Sequence, residues 1–208
     1  MKKQLIYLFA MMMGLCGLSS CSEDTAEEND FENWQQRNEV FFASLEDSLS
    51  ANAGKGIGQW QKFKSYSKDS LLTTGSNTDC IYVKVLEQSA STTDQERPMA
   101  KDSVRLSYQG RLIPTKLYAQ GFVFDGTVYG AYNPETNATR SFKLSTSLVP
   151  GFYTALLHMR RGDTWRIYIP YQLGYGASAS GSIPGYSTLI FDLTLFEIAR
   201  EGKTLPIW

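Results

Sequence analysis

The feature that most constrains this chain is a run of apolar periodicity between Val104 and Ile198. Two segments alternate apolar and polar residues with the period of a strand that buries one face, Val104–Gln109 and Leu189–Phe196. A third segment, Trp165–Pro170, alternates with apolar bulk on both faces. The run therefore predicts several antiparallel strands that share one core.

One short helix is predicted between these strands. Its apolar residues fall at i, i+3, i+4 and i+7 and share one stripe: Phe152, Ala155, Leu156 and Met159. Pro150-Gly151 opens the helix, and Arg160-Arg161-Gly162 closes it with cations at the negative end of the helix dipole. We expect an α+β domain in which a twisted antiparallel sheet wraps around one short α-helix.

The order of short motifs along this block is more specific than any one motif. They are Tyr108-Gln109-Gly110, Phe124-Asp125, Phe142-Lys143-Leu144, Leu148-Val149, Gly151-Phe152, Met159-Arg160-Arg161-Gly162, Ile169-Pro170, Tyr175-Gly176, Ile183-Pro184 and Leu189-Ile190-Phe191-Asp192. In this order they resemble the FK506-binding-protein (FKBP) family of peptidyl-prolyl cis/trans isomerases. Ile81–Glu87 is similar to the family's first strand, so we expect the domain over residues 78–199 and a tail over residues 200–208.

The resemblance implies isomerisation of X–Pro peptide bonds in proline-containing polypeptides, without a cofactor. The catalytic residues that it implies are Tyr108, Phe124, Asp125, Phe152, Tyr175 and Phe191, with Leu148, Val149 and Ile183 as substrate contacts. Asp125 would lie at the rim of an aromatic pocket, and Tyr175 would donate its hydroxyl to a substrate carbonyl. Ile183 would project over the site from the last long loop.

Four features depart from the family pattern. Phe152 stands where the family usually has tryptophan, and Arg140 stands where an aromatic residue is common. The hydrophobic pair after Leu144 comes one residue early, and the segment 126–140 is longer than usual. We expect these departures to affect turnover more than fold. A chaperone or binding module that uses the same groove without useful turnover therefore stays open. A third hypothesis, independent of these departures, is a surface lipoprotein of a glycan-uptake system.

Residues 1–20 have the pattern of a signal peptide. Lys2-Lys3 precede an apolar run, Leu5–Leu18, that is short for a membrane span. The run ends in Leu18-Ser19-Ser20-Cys21, which resembles the lipobox of bacterial lipoproteins. This resemblance implies a lipid on Cys21 and a membrane-anchored protein of the cell envelope, at the outer membrane on its periplasmic or surface-exposed face.

An acidic tether is predicted over residues 21–30. The acidic residues between Cys21 and Arg37 have no basic residue among them: Glu23, Asp24, Glu27, Glu28, Asp30 and Glu32. Ser22-Glu23-Asp24 also resembles the export signal of surface lipoproteins of the Bacteroidetes. Without the two lysines of the signal peptide, 18 of the 20 basic residues remain against 21 acidic ones. This charge argues against a nucleic-acid partner.

Cysteine and histidine are too few for a disulfide or a typical zinc site. Cys16 leaves with the signal peptide and Cys21 carries the lipid, so Cys80 is left alone, and we expect it to be a small buried apolar residue. The one histidine, His158, is expected on the exposed side of the short helix. No metal site is predicted.

A helical N-terminal segment is predicted over residues 31–77. Its apolar residues recur at helical spacing and predict a helix over about Asp30–Ala51, with Asp30 as a cap: Phe31, Trp34, Phe41, Leu45 and Leu49. In some exported relatives of the family such a segment dimerises or holds client chains, which would make this chain a homodimer. The alternative is packing on its own domain. Trp60–Lys68 is expected to be a short solvated segment, and the alternative is contact with a membrane or a glycan.

Overall fold

The computed structural model describes residues 29–68, 75–90, 93, 96–128, 130–131, 133 and 136–206. The predicted signal peptide, Cys21 and nearly all of the acidic tether lie outside these residues. No helix in the described part is long and apolar enough to cross a membrane.

The described residues form two helices and one antiparallel sheet, which confirms the predicted fold class. The helices are α1 (Trp34–Asn52) and α2 (Pro150–His158), and the strands are β1 (Trp60–Lys64), β2 (Cys80–Glu87), β3 (Ser103–Arg111), β4 (Val123–Gly126), β5 (Arg140–Lys143), β6 (Thr164–Ile169) and β7 (Leu189–Ala199). In space the strands follow the order β1-β2-β6-β7-β3-β4. β5 and β4 pair with successive halves of β3.

Helix α2 packs on the sheet through the predicted apolar stripe. All four stripe residues are at most 6% exposed: Phe152, Ala155, Leu156 and Met159. Gly151 lets the helix approach the sheet closely, because a Cβ atom at this position would lie 2.3 Å from Cγ2 of Ile169. Pro150 occupies the first turn, where its missing N–H costs no helical hydrogen bond.

A buried charge cluster links three neighbouring strands of the sheet. The carboxylate of Asp192 on β7 accepts hydrogen bonds from Nε of Arg166 on β6 at 2.6 Å and from Nη1 of Arg111 on β3 at 2.9 Å. Burial alone would raise the pKa of this carboxyl, but the bonds from the two guanidinium groups outweigh burial, and the pKa is lowered. The cluster is thus ionised and paired on both sides.

Helix α1 packs on its own domain through one buried face, formed by Trp34, Asn38, Phe42 and Leu45. Asn38 Oδ1 accepts the backbone N–H of Thr188 at 2.7 Å, and Trp34 Nε1 donates to Ser187 Oγ at 2.9 Å. Phe42 meets the ring of Tyr82 edge-on, with centroids 5.1 Å apart. Of the two alternatives for this segment, the structure shows the intramolecular contact.

The N-terminal segment differs from its prediction in two places. Helix α1 begins at Trp34, and its N-cap is Asn33, so the prediction of Asp30 as the cap is wrong. The carbonyl of Asp30 instead accepts a hydrogen bond from Nη1 of Arg37 at 2.7 Å. The segment is helical only as far as Asn52, because Trp60–Lys64 pairs with β2 as the edge strand β1.

Strand β1 also explains two wrong expectations about exposure. Trp60, expected in a solvated segment, is buried and stacks on Tyr168 with ring centroids 5.3 Å apart. His158, expected to be exposed, is half-buried, because Phe63 of β1 lies 4.2 Å from its ring. Cys80 is partly buried, and burial raises the pKa of its thiol.

Candidate active site

A cavity of about 210 Å³ opens at the N-terminal end of α2. Its wall comes from β3, β4, β5, β7, α2 and two loops: Tyr108, Asp125, Phe142, Ser147, Leu148, Val149, Phe152, Tyr175 and Phe191. Most of these side chains are apolar, so the cavity suits a small apolar group.

Aromatic rings stand around the cavity and leave its centre open. The ring centroid of Phe152 lies 5.1 Å from that of Phe191, 6.0 Å from Tyr108 and 6.3 Å from Phe142, at interplanar angles of 61–67°. Edge-on contacts of this kind are favourable between aromatic rings. A Cβ atom at Gly110 would lie 2.5 Å from the ring of Phe191, so glycine is needed there for the ring to take its place.

The polar groups of the pocket form a connected rim. The hydroxyl of Tyr108 donates to Oδ2 of Asp125 at 2.7 Å and accepts from Nη1 of Arg140 at 2.8 Å. Oδ1 of Asp125 accepts the backbone N–H of Gly126 at 2.8 Å. Burial, and then the hydrogen bond to Asp125, raise the pKa of Tyr108. Its hydroxyl therefore stays protonated and committed to the rim.

Tyr175 contributes a hydroxyl of a different kind. Its side chain is 44% exposed at the mouth of the cavity, and no partner for its hydroxyl is found in the described part of the chain. Burial, and then the negative charge of Asp125, raise the pKa of Tyr175. The group is thus a protonated donor that remains available to a ligand.

The loop that carries Tyr175 is held at its far end by α1. Ser187 Oγ donates to the carbonyl of Pro184 at 2.6 Å and accepts from Trp34 Nε1. The next residue, Thr188, donates its backbone N–H to the fully buried side chain of Asn38. The N-terminal helix therefore helps to position one wall of the pocket.

The described residues of the pocket wall offer little for acid–base or metal chemistry. Among them, Asp125 is the one carboxylate, and the one serine, Ser147, shares a 2.6 Å hydrogen bond with Ser145. Across the described residues, no group of three His, Cys, Asp or Glu side chains could hold a metal ion. The arrangement can enclose an apolar ring, exclude water and donate one hydrogen bond.

The sequence of this region matches a known family. Residues 94–196 match the family described as FKBP-type peptidyl-prolyl cis-trans isomerase. This part of the chain belongs to that family. The FKBP domain so defined contains every residue of the pocket wall.

Relatives with named functions support this assignment. The chain is 34% identical over 120 residues to the macrophage infectivity potentiator of Trypanosoma cruzi, covering 57% of this chain and 55% of that protein. An FKBP-type 22 kDa peptidyl-prolyl cis-trans isomerase of Escherichia coli is 37% identical over 102 residues, 49% of this chain and 43% of that protein. The chain thus spans about half the length of these curated relatives.

A solved structure extends the likeness of fold beyond the FKBP domain. The crystal structure of FkpA from Escherichia coli aligns with a TM-score of 0.54 and 21% identity, covering 95% of this chain and 71% of that one. At this identity the alignment shows a shared fold.

Most of the residues predicted for the site meet at the pocket of the FKBP domain. Seven line it: Tyr108, Asp125, Leu148, Val149, Phe152, Tyr175 and Phe191. Phe124 lies behind the wall, edge-on to Phe191 with centroids 5.5 Å apart. Ile183, expected to project over the site, is instead buried and absent from the wall, because its carbonyl and N–H both pair with Ser180 and turn this loop back on itself.

Two residues of the wall, Phe142 and Ser147, were not predicted from the sequence. Phe142 was visible in the motif Phe142-Lys143-Leu144, and its place on β5 opposite β3 brings its ring within 5.8 Å of Tyr108. Ser147 is a small exposed residue before α2, and no sequence signal marks it.

Arg140 takes a different role from the aromatic residue common at its position. Its guanidinium carbon lies 5.8 Å from the ring centroid of Tyr108, and Nη1 is 3.7 Å from Oδ1 of Asp125. The long side chain thus reaches the rim of the FKBP pocket. Its positive charge offsets the negative charge of Asp125. Its hydrogen bond to the hydroxyl of Tyr108 fixes the position of that group.

Proposed function

We propose that this chain is a peptidyl-prolyl cis/trans isomerase that acts on X–Pro bonds of exported polypeptides. The observation that carries the proposal is the aromatic pocket of the FKBP domain, which has the size and polarity for a proline ring and one uncommitted donor, Tyr175. The named activities of the relatives support the same reaction.

The reaction requires rotation about a peptide bond whose barrier is roughly 18–20 kcal/mol. No bond breaks and no proton moves, so the enzyme needs only to bind the twisted amide better than the planar one. The rings of Phe152, Phe191 and Tyr108 hold the proline and exclude water. Twisting removes conjugation and makes the carbonyl less polar, so a dry pocket favours the twisted form.

Tyr175 would supply the polar contact. Its hydroxyl lies at the mouth of the pocket, where a carbonyl of the bound peptide would accept its hydrogen bond. A hydrogen bond of this kind has a net worth of about 0.5–1.5 kcal/mol. If it forms mainly in the twisted state, it raises the rate by up to about tenfold.

The test is the rate of cis-to-trans isomerisation of a short X–Pro peptide by the chain without residues 1–21. We expect clear catalysis by the wild type and about tenfold lower kcat/KM for Tyr175→Phe. Tyr186→Phe is the matched control, because it removes a hydroxyl from the same loop but away from the pocket wall, and it should stay within twofold. Equal losses in the two variants, or no catalysis by a folded wild type, would contradict the proposal.

Two observations favour the binding module as a second candidate. The rim of Tyr108, Asp125 and Arg140 is closed by its own hydrogen bonds, and Phe152 is a smaller floor than the tryptophan usual in the family. A groove of this kind could hold proline-containing segments with little turnover. Peptide binding with a micromolar Kd but no rate acceleration would identify this function.

We further propose that the protein is attached to the cell envelope by a lipid on Cys21. The proposal is supported by Leu18-Ser19-Ser20-Cys21 and by the acidic stretch that follows. Two or more acyl chains on one residue give stable anchoring, whereas one chain binds only marginally. Mass spectrometry of the protein from its host should show a diacylated N-terminal cysteine, and Cys21→Ser should release the protein from membranes.

A homodimer through α1 would have to use the outer face of this helix, because the inner face packs on the FKBP domain. Val40 on that outer face is 63% exposed beside Ile113 and Pro114. Sedimentation at micromolar concentration tests this prediction, and Val40→Glu should dissociate such a dimer. A monomer at all concentrations would contradict it.

A further inference from the structure

Exposed apolar side chains gather where the loop between β3 and β4 meets α1. In the part of the chain that the structure describes, eight large apolar or aromatic side chains are exposed, and three of them lie here: Val40, Leu117 and Tyr118. Leu117 is the most exposed of the eight, at 73%. These three residues are called the apolar corner below. The isomerisation reaction makes no use of this corner, because none of the three lines the aromatic pocket.

Hydrogen bonds give the loop between β3 and β4 a defined shape. At its base, the N–H of Leu112 donates to the carbonyl of Phe122 at 3.0 Å. At its tip, the N–H of Thr115 donates to the carbonyl of Tyr118 at 3.0 Å, and the N–H of Tyr118 donates to Oγ1 of Thr115 at 3.1 Å. The rings of Tyr118 and Phe122 meet edge-on, with centroids 5.2 Å apart. Leu117 is therefore presented to solvent by a closed turn.

The tip of this loop is tied to the residues that precede α1. The guanidinium of Arg37 donates to the carbonyl of Asp30 at 2.7 Å and to the carbonyl of Pro114 at 3.4 Å. The N–H of Leu117 donates to Oδ1 of Asp30 at 3.4 Å. Val40 lines an open groove together with Pro114 at the base of the same contact. The apolar corner thus lies where the N-terminal part of the chain joins the folded domain.

The length of chain between Cys21 and this corner limits how far the corner can lie from a bilayer that holds the proposed lipid. Asp30 is nine positions after Cys21. An extended chain spans at most about 3.3–3.6 Å per residue, so the two residues lie within roughly 30 Å of each other. Met99, another exposed apolar residue, precedes β3, whereas Leu117 follows it, and the nine residues of this strand span about 30 Å. The corner is therefore the exposed apolar surface next to the anchor.

We propose that the apolar corner docks on the surface of this bilayer, an inference that rests on the proposed lipid on Cys21. Leu117 and Val40 would enter the boundary between headgroups and acyl chains, and Tyr118 would lie at the level of the headgroups. The four acidic residues between Cys21 and Asp30 are repelled by anionic lipids, so the contact is apolar and needs only neutral lipids. The short tether keeps the corner at a high effective concentration beside the bilayer, which makes a weak contact sufficient.

Amide hydrogen exchange on vesicles tests this docking. The chain of residues 21–208, with Cys80→Ala so that Cys21 is its one thiol, is coupled through Cys21 to a thiol-reactive lipid in vesicles of neutral phosphatidylcholine. The reference is the same chain coupled to a soluble thiol reagent. We expect amides of residues 115–120 to exchange at least about fivefold more slowly on vesicles, and those of residues 97–101 to change by less than about twofold. Equal exchange of residues 115–120 in the two samples would overturn the proposal.

Variants and surface density identify what covers the corner. Leu117→Glu should remove the protection, because a carboxylate does not enter the apolar boundary, whereas Met99→Glu makes the same change at another exposed apolar position and should keep it. Protection that is unaffected by Leu117→Glu would refute the site. Protection that appears only at high surface density, or equally in concentrated solution, would assign the corner to a second copy of the chain and overturn the proposal. Because the coupling is chemical, the docking can fail or succeed whether or not mass spectrometry finds a lipid on Cys21 in the host.

Discussion

The aromatic pocket and the buried face of α1 use similar side chains in opposite ways. This face, formed by Trp34, Asn38, Phe42 and Leu45, is called the seam below. At the seam, rings are packed face to edge and the central polar group, Asn38, is fully buried with its oxygen and its nitrogen both bonded. At the pocket, four rings leave about 210 Å³ open, and the hydroxyl of Tyr175 has no partner in the described structure.

We infer from this difference that the seam contributes mainly to stability and the pocket mainly to activity. Open apolar surface forfeits packing contacts, so a pocket lowers stability unless its surroundings hold it open. The seam helps to hold the pocket open, because it fixes Ser187 and Thr188 at the end of the loop that carries Tyr175. Damage at the seam should therefore reduce stability first, and damage at the pocket should reduce activity beyond its effect on stability.

Phe152→Ala is expected to have the largest effect, because it removes the floor of the pocket. Phe152 meets three other rings, and burying a phenylalanine side chain is worth about 1.5–3 kcal/mol. We expect kcat/KM for an X–Pro peptide to fall roughly 30-fold, which corresponds to about 2 kcal/mol. Unfolding in urea should show a loss of about 3 kcal/mol, at the lower end of the range for Phe→Ala.

The control for this variant is Phe63→Ala. Phe63 also contacts two rings, those of His158 and Trp165, but it lies on β1 outside the pocket. It should lose about 2 kcal/mol of stability and keep its activity within twofold under folding conditions. If both variants lose activity in proportion to stability, the distinction between the two regions is wrong.

Asn38→Ala is expected to damage the seam. It leaves the buried N–H of Thr188 without its acceptor, which costs about 1–3 kcal/mol, and the lost contacts add to this. Urea unfolding should show a loss of about 2–3 kcal/mol. Asn52→Ala on the same helix is the control, because its side chain is exposed and donates a hydrogen bond to the carbonyl of Ser48, and it should change stability by less than about 0.5 kcal/mol. A similar loss in both variants would show that the seam contributes nothing specific.

Local periodicity predicted the FKBP fold well because its strands and α2 carry their own signals. The stripe of Phe152, Ala155, Leu156 and Met159 is buried as the spacing requires. β1 was not predicted because Trp60–Lys64 is a short edge strand with polar residues between its aromatic ones, so it lacks a clear apolar alternation. The exposure of His158 was predicted wrongly for the same reason, since Phe63 of β1 stacks on its ring.

The site was predicted by ordered motifs, and the errors lie where a loop decides the outcome. Tyr108, Phe152 and Phe191 stand on regular elements, so their register places them at the pocket. Ile183 stands in a loop whose bridge to Ser180 turns it inward, and no periodicity describes such a turn. The reach of Arg140 to Asp125 depends on a long flexible side chain, which spacing along the chain does not report.

Arg140→Ala tests the polar rim of the pocket. Its hydrogen bonds are exposed to solvent, whereas those of Asn38 at the seam are buried. The side chains of Arg140 and Asp125 are both 51% exposed, and exposed ion pairs are worth about 0–1 kcal/mol. We expect kcat/KM to fall by no more than about fivefold, with KM rising and kcat nearly constant, and with no loss of stability. Lys143→Ala, a neighbouring cation on β5 outside the wall, should be neutral. A loss above about 30-fold would place Arg140 in the catalytic machinery.

The smallest effect is expected from pH, and it tests whether the pocket hydroxyls act as donors. Burial is the main cause that raises the pKa of Tyr108 and of Tyr175, so both stay protonated well above neutral pH. Because the pKa values are raised, both hydroxyls remain protonated, and can donate hydrogen bonds, at every pH below the ordinary tyrosine pKa of about 10. His158 titrates at the far end of α2, outside the pocket. Isomerisation should therefore vary by less than about twofold between pH 6.5 and 9 at constant ionic strength. A fall in rate with a midpoint near pH 8 would contradict this expectation and mean that one hydroxyl ionises in this pH range. The residual rate of Tyr175→Phe would then show which hydroxyl it is: a flat pH profile in this variant would assign the ionisation to Tyr175, and the same fall would assign it to Tyr108.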